Sequence, residues 1–274
     1  MSIILRGVTA GYGRAKPIFE NVDLEIETGP VTVLIGPNGC GKSTLLKTIA
    51  RLVRPSAGAI HVDDLDVLRN DPKRVARTIA YLPQSPVVPT AITVEQLVGY
   101  GRAPHQSLLG FRSARDIELV DQALATTGLE GLRKSLVSDL SGGQRQRVFI
   151  AMALAQDTPY VMLDEPTTFL DIRHQVDTLE LVRQLRDAGR TSIVVLHDIA
   201  QAARYGDRLV VMRAGRIHSE GKPADVVTPQ MIREVYDLDC DVYPDPRSGT
   251  PVVTPRGSGH EADRMLAIAA SYGG

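Results

Sequence analysis

Gly36-Pro37-Asn38-Gly39-Cys40-Gly41-Lys42-Ser43, followed by Thr44, is the stretch on which the fold of this chain turns. It fits the pattern G-x-x-x-x-G-K-[ST] without exception. It lies between an apolar run, Val31-Thr32-Val33-Leu34-Ile35, and a helix predicted from Lys42 to about Val53. Strand, glycine-rich turn and helix in that order describe a phosphate-binding loop. Glycines let successive backbone N–H groups face phosphate oxygens, and the helix N-terminus adds its dipole. Lys42 is then expected at the β- and γ-phosphates of a nucleotide, and Ser43 at Mg²⁺.

Working outward, residues 3–8, 18–26 and 31–35 read as strands separated by Gly- and Pro-containing turns. The second alternates apolar with polar, as a half-exposed antiparallel strand does, whereas the third is nearly all apolar and suits a strand buried on both faces. Residues 160–163 and 192–196 repeat the buried pattern. Between them Ile172, Val176, Leu179, Val182 and Leu185 recur at spacings of four or three, an amphipathic helix that Gly189 ends. Strand, helix, strand predicts a right-handed parallel crossover. From about residue 86 to 136 only helical segments are found, at 93–99 and 114–127. The expected fold is α/β: a P-loop NTPase core, a mostly parallel sheet flanked by helices, with N-terminal antiparallel strands and an inserted helical lobe. The domain is expected over residues 1–254, with the lobe at about 86–156. A tail follows over 255–274, with a short helix near 262–270.

Composition narrows the function. The chain has 274 residues, with 31 Lys and Arg against 32 Asp and Glu, so its formal net charge is −1. No broad basic field exists to hold nucleic acid or an anionic membrane surface. Two cysteines, Cys40 and Cys240, cannot form a disulfide framework or a Cys-rich zinc site. No apolar run approaches the ~20 residues needed to cross a bilayer. Nothing at the N-terminus reads as a signal peptide, so a soluble, intracellular chain is expected that serves any membrane through a partner.

Two further motifs carry chemistry. Tyr160-Val161-Met162-Leu163-Asp164-Glu165 is an apolar strand ending in two carboxylates. Asp164 is placed to hold Mg²⁺, and Glu165 to orient or deprotonate an attacking water. Leu140-Ser141-Gly142-Gly143-Gln144 opens a helix predicted to run to about Ala155. Ser141 is a good N-cap, and the two glycines leave backbone N–H groups bare for a second anion.

Residues 36–44, Gln84, 140–144, 160–165, Asp171 and His197 occur in the order found in the ATP-binding-cassette (ABC) ATPases, and this chain resembles that family over roughly residues 2 to 252. Leu140 to Gln144 matches the family signature letter for letter. The resemblance implies ATP and Mg²⁺ as cofactors. It also implies a second copy of the chain bound head to tail, so that Ser141, Gly142, Gly143 and Gln144 close over the γ-phosphate held by the partner. Gln84 matches the glutamine that senses Mg²⁺ and the water, Asp171 the residue linking the two sites, and His197 the histidine that contacts the γ-phosphate. Tyr12, between Gly11 and Gly13, matches the aromatic that stacks on adenine.

Longer strings are similar to the ATPases of iron(III)-siderophore importers. They are Thr93-Val94-Glu95-Gln96-Leu97-Val98-Gly99-Tyr100-Gly101-Arg102-Ala103-Pro104-His105, the run from Glu165 to Gln175, and the run from His197 to Tyr205. Cobalamin and haem importers share much of this, and a soluble ABC ATPase remodelling a cytosolic partner is the alternative of a different class. The resemblance implies integral membrane permease subunits as partners, a substrate-binding protein acting indirectly, and a peripheral place on the cytoplasmic face of the cell membrane. Tyr100, Arg102 and His105 are the expected permease-docking surface, and Cys40 places an oxidisable thiol inside the phosphate loop.

Overall fold

The computed structural model describes residues 1–13, 16–106 and 113–256. The helix expected near 262–270 lies outside the described residues. The chain runs β1 (Ser2–Ala10), β2 (Phe19–Glu27), β3 (Thr32–Ile35), α1 (Lys42–Ile49), β4 (Ala57–Val62), β5 (Leu65–Asp66), α2 (Pro72–Ala76) and β6 (Ile79–Leu82). A helical segment follows: α3 (Val94–Gly99), a 3-10 turn at Tyr100–His105, α4 (Ala114–Thr126) and α5 (Gly142–Ala155). The chain then returns through β7 (Tyr160–Asp164), α6 (Ile172–Asp187), β8 (Thr191–Val195) and α7 (Ile199–Tyr205). It finishes with β9 (Arg208–Arg213), β10 (Arg216–Gly221), α8 (Pro223–Val226), α9 (Pro229–Tyr236), β11 (Cys240–Pro244) and β12 (Pro251–Pro255).

Six strands form the central sheet in the order β10-β9-β3-β8-β7-β6, parallel except for the antiparallel edge strand β10. A second sheet, β2-β1-β4-β5, is antiparallel, and β11 and β12 form a hairpin. The nearly unbroken apolar runs of the central strands follow from their burial on both faces. Val33 and Ile35 of β3, Val161 and Leu163 of β7 and Val194 of β8 enter one core, with the lobe helices, α6 and α9. Leu34, Tyr160, Met162, Ile193 and Val195 enter the other, with α1 and the antiparallel sheet. At the start of β7 the Tyr160 hydroxyl donates to Asp63 Oδ1 at 2.7 Å and lies 3.0 Å from Thr28 Oγ1.

Helix α1 is shorter than expected, stopping at Ile49 rather than near Val53. Arg51 is left-handed, at φ 60°, and the amides of Leu52 and Val53 both return to the Lys47 carbonyl, at 2.7 and 3.1 Å. That pattern closes the helix C-terminus.

In the lobe, α3, α4 and α5 pack on one another and each begins with a capping box: Thr93 with Gln96, Ser113 with Asp116, and Ser141 with Gln144. Arg102 departs from its expected place on a docking surface, being only 4% exposed. Its Nε donates to Asp116 Oδ1 at 2.8 Å, and its Nη1 to the carbonyls of Ala155 and Gln156 at 2.8 and 3.1 Å. A planar fork that meets a carboxylate and two terminal helix carbonyls belongs inside the lobe. Burial pushes the Asp116 carboxyl up. The Arg102 guanidinium and the Ser113 amide and hydroxyl outweigh burial and hold it at about 2. Of its expected companions, Tyr100 is exposed and His105 is half-buried against the Gln156 carbonyl.

Candidate functional site

The site lies where β3, β7 and β8 end. The phosphate loop leaves β3 through Gly36, whose φ of +144° suits glycine. A Cβ there would fall 2.1 Å from the Met212 carbonyl oxygen of β9, so the loop can leave the sheet only through glycine. Pro37, Asn38 and Gly39 form the open crest, and Cys40 turns inward beneath it. Gly41, in a left-handed conformation, starts α1 with no side-chain cap, which leaves the first-turn amides for an anion. Lys42 is 5% exposed, and its Nζ donates to the carbonyls of Gly36 and Pro37 at 2.7 and 3.0 Å. Cys40 Sγ lies 3.8 Å from the same ammonium. Thr44, buried one residue beyond Ser43, receives the Thr48 hydroxyl on its carbonyl.

Ser43 Oγ donates to Asp164 Oδ1 at 2.8 Å, which joins the loop to the end of β7. The Tyr81 hydroxyl donates to the other oxygen, Oδ2, at 3.0 Å. Asp164 is 2% exposed. Burial raises its carboxyl above the usual range, and neighbouring Glu165 adds to this. The Ser43 and Tyr81 bonds oppose the shift. Burial and Asp164 together push the Tyr81 phenol far up.

Glu165 is held in the left-handed region at φ 54°. Its carboxylate is shared by three partners: His197 Nε2 lies 2.6 Å from Oε1, Gln84 Nε2 donates to Oε2 at 2.5 Å, and the Thr168 hydroxyl donates to Oε2 at 3.2 Å. Strained backbone at a carboxylate that three polar groups aim is a feature of functional sites. The sequence-predicted residues Gln84, Glu165 and His197 thus meet in one constellation, beside Lys42, Ser43 and Asp164.

Ser141, Gly142, Gly143 and Gln144 are placed elsewhere. Ser141 and Gln144 bond reciprocally at the start of α5, at 3.0 and 3.2 Å, and neither of these bonds reaches the phosphate loop. Tyr12 stands just past β1 with 49% of its surface exposed. Asp171 caps α6 by accepting the His174 amide at 2.9 Å.

Sequence reasoning missed Tyr81 and Thr168. Tyr81 pairs in register with Met162 on the buried strand β6, so only its hydroxyl distinguishes it from a core aromatic. Thr168 falls within the run from Glu165 to Gln175, where the family resemblance gives it no role of its own. Ser43 and Asp164 offer hard oxygens, one of them a buried carboxylate, of the kind that suits a magnesium ion, while the amide of Gln84 is joined to Glu165.

Among the described residues no helix is long and apolar enough to cross a membrane. Comparison with known proteins agrees with the geometry. The family described as ABC transporter matches residues 19–168. The achromobactin transport ATP-binding protein of Dickeya dadantii (strain 3937) is 48% identical over 257 residues, covering 93% of this chain and 95% of the relative. The ferric enterobactin transport ATP-binding protein of Escherichia coli (strain K12) is 47% identical over 256 residues, covering 92% and 94%. The dimeric structure of a bacterial ABC transporter cassette superposes with a TM-score of 0.71 at 30% identity, covering 80% of this chain and 98% of that one.

Proposed function

This chain belongs to the ABC transporter family, and from that premise we propose that it is the ATP-hydrolysing subunit of a bacterial importer, energising uptake of an iron(III)-siderophore through a separate membrane permease. One observation carries the reading. A Glu165 carboxylate aimed by Gln84 and His197 stands beside an intact phosphate loop, in a chain that matches two siderophore-transport subunits over more than nine-tenths of its length.

The chemistry follows from the residues. Backbone amides of the loop and of the first turn of α1 receive phosphate oxygens, with Lys42 as the buried cation beside them. Ser43, Asp164 and Gln84 would hold Mg²⁺, which when bound supplies charge neutralisation to the phosphates. Glu165 accepts a proton from the attacking water, and Gln84 and His197 fix the direction of its oxygens. Tyr12, exposed just past β1, would offer a ring face to the base.

The partner copy is supported by what the chain leaves unused. A second helix start suited to an anion, at Ser141, keeps its cap bonds to itself, and none of them reaches the phosphate loop. Near it Phe169 and Ile172 are 94% and 80% exposed, an apolar surface suited to a second copy of the chain. In this reading two ATPs draw the copies together and hydrolysis separates them. Closure works only because the signature contacts exist in the closed state and not in the open one. The permease is assigned to a cleft of about 300 Å³ lined by Pro89, Thr90, Ala91, Ile92, Gln96 and Tyr100, which follows Gln84 in the chain. In this reading the subunit would sit on the cytoplasmic face of the membrane, with the substrate-binding protein acting from the other side.

The test is uptake of iron-labelled ferric siderophore and of cobalamin by native cells carrying Glu165→Gln. Loss of iron uptake with cobalamin uptake intact is expected. Loss of cobalamin uptake instead would transfer the chain to that cargo.

A further inference from the structure

Gly142 and Gly143 stand side by side at the start of α5, yet they face different surroundings. A Cβ on Gly142 would meet nothing within 4 Å, whereas one on Gly143 would fall 2.1 Å from His174 Cδ2 and 2.6 Å from its Nε2. The backbone of Gly143 is not left-handed, so the imidazole, rather than φ, excludes a side chain there. The other edge of the same ring is engaged too: His174 Nδ1 lies 2.7 Å from Asp171 Oδ1. His174 therefore bridges the first turn of α5 and the segment that follows the catalytic strand.

That segment has little else to hold it. Phe169 and Ile172 are 94% and 80% exposed and Leu170 is only partly buried, so apolar burial anchors residues 168–172 weakly. Hydrogen bonds do more. Gln175 Nε2 donates to the Leu170 carbonyl at 2.9 Å, and Gln201 Nε2 donates to Gln175 Oε1 at 2.6 Å. Gln201 lies in α7, whose N-cap Asp198 directly follows His197. At its other end the segment returns to Glu165 through Thr168. Hydrogen bonds and short stretches of chain thus link Glu165 and His197 to Asp171 and His174, and the His174 ring packs against Gly143.

We propose that His174 is a positioning residue that locks the 168–171 segment to the first turn of α5, so that the signature glycines and Asp171 meet the second copy as one rigid surface. The proposal deepens the head-to-tail reading and rests on it. A donor group displaced by about 1 Å from productive geometry loses up to about 10²-fold in rate, so a link of this kind acts on turnover rather than on nucleotide binding within one copy.

The experiment measures steady-state ATP hydrolysis by the full chain. His174→Ala removes both contacts, His174→Phe keeps a ring against Gly143, and His174→Asn keeps an amide for Asp171. His174→Ala is expected to lower kcat about tenfold with the KM for ATP changed less than about twofold, and His174→Asn to recover part of the loss. Gly143→Ala is expected to cost less in the His174→Ala background than in the wild-type chain, because the group it collides with is gone. Equal cost in both backgrounds, or three His174 variants within about twofold of wild-type kcat, would overturn the proposal. ATP-dependent dimerisation of Glu165→Gln is measured alongside. Its absence would count against the head-to-tail reading, while the Gly143–His174 cycle still decides whether the link exists.

Discussion

Glu165 Oε1 and His197 Nε2 are 2.6 Å apart, although the two residues leave neighbouring parallel strands and are 32 positions apart in the chain (197 − 165 = 32). The contact exists because β7 and β8 pair in register up to Asp164 and Val195, so their loops emerge together. Removing the carboxylate while keeping its shape separates binding from chemistry. Glu165→Gln is expected to retain ATP and to lose about 10²–10⁴-fold in kcat. Nucleotide binding and single-turnover hydrolysis, measured together, check this, and a variant with wild-type turnover would remove Glu165 as the base.

Lys42→Ala has the opposite signature. It removes the buried cation of the loop and is expected to weaken nucleotide binding before any effect on chemistry can be seen. Calorimetric titration with a non-hydrolysable ATP analogue reads this directly, and binding at wild-type affinity would contradict the role given to Lys42.

Gln84 and His197 hold one carboxylate from two sides, so their effects should not multiply. Each alanine variant is expected to lower kcat by about tenfold or more, and the double variant by less than the product of the two. Multiplicative losses would mean that each residue acts on its own.

Asp164 is expected to cost stability where its proposed role requires a buried carboxylate. Burial raises its carboxyl in the folded chain, so the unfolded chain holds fewer protons across the window between the two values, and stability falls as pH rises through it. Asp164→Asn is therefore expected to raise the Tm measured without nucleotide by about 2–4 °C at pH 7. The gain should vanish below the usual carboxylate range of about 4, and ATP hydrolysis should be lost at every pH. Thermal melts from pH 4 to 8 give the sign, and a lower Tm at pH 7 would refute it.

Arg102 is expected to matter for folding. Arg102→Ala leaves Asp116 as an unpaired buried carboxylate, which costs about 3–5 kcal/mol. Tyr100→Ala, at an exposed position, should leave the Tm unchanged. Because Asp116 is held at about 2, its contribution is present above the ordinary carboxylate value and is lost as pH falls toward 2. Chemical denaturation at pH 7 and at pH 3 tests both statements.

Much of this was legible in the chain itself. The phosphate loop, the strand ending at Asp164 and Glu165, and the helix after Asp171 each carry a local signature, and the structure places them where the spacing implies. Arg102 was not legible, because its partners Asp116, Ala155 and Gln156 lie 14 to 54 positions away (116 − 102 and 156 − 102) and nothing around Arg102 distinguishes a buried arginine from a surface one. Strands β9 and β10 went unassigned for a similar reason. Arg208 to Arg213 is a short apolar run with charged ends, and its place beside β3 is fixed by pairing across the chain. The Gln175–Gln201 bond joins two strings that resemblance had marked separately, and only the packing of α6 against α7 shows why both glutamines are there.

Strand β7 is apolar on both faces, which raises a question that hydrophobicity alone does not answer. Shifting it by one residue would exchange the side chains given to the two cores and bury just as much hydrocarbon. What resists the slip is polar and stands at its ends: Tyr160 against Asp63 and Thr28 at one, Asp164 against Ser43 and Tyr81 at the other. A strand threaded one step out would offer Leu163 to Ser43 and hide Asp164 from it. The carboxylate proposed for magnesium would thus also serve as an alignment mark for the sheet. Chains that pair β7 correctly during folding are the same chains that can go on to turn over ATP.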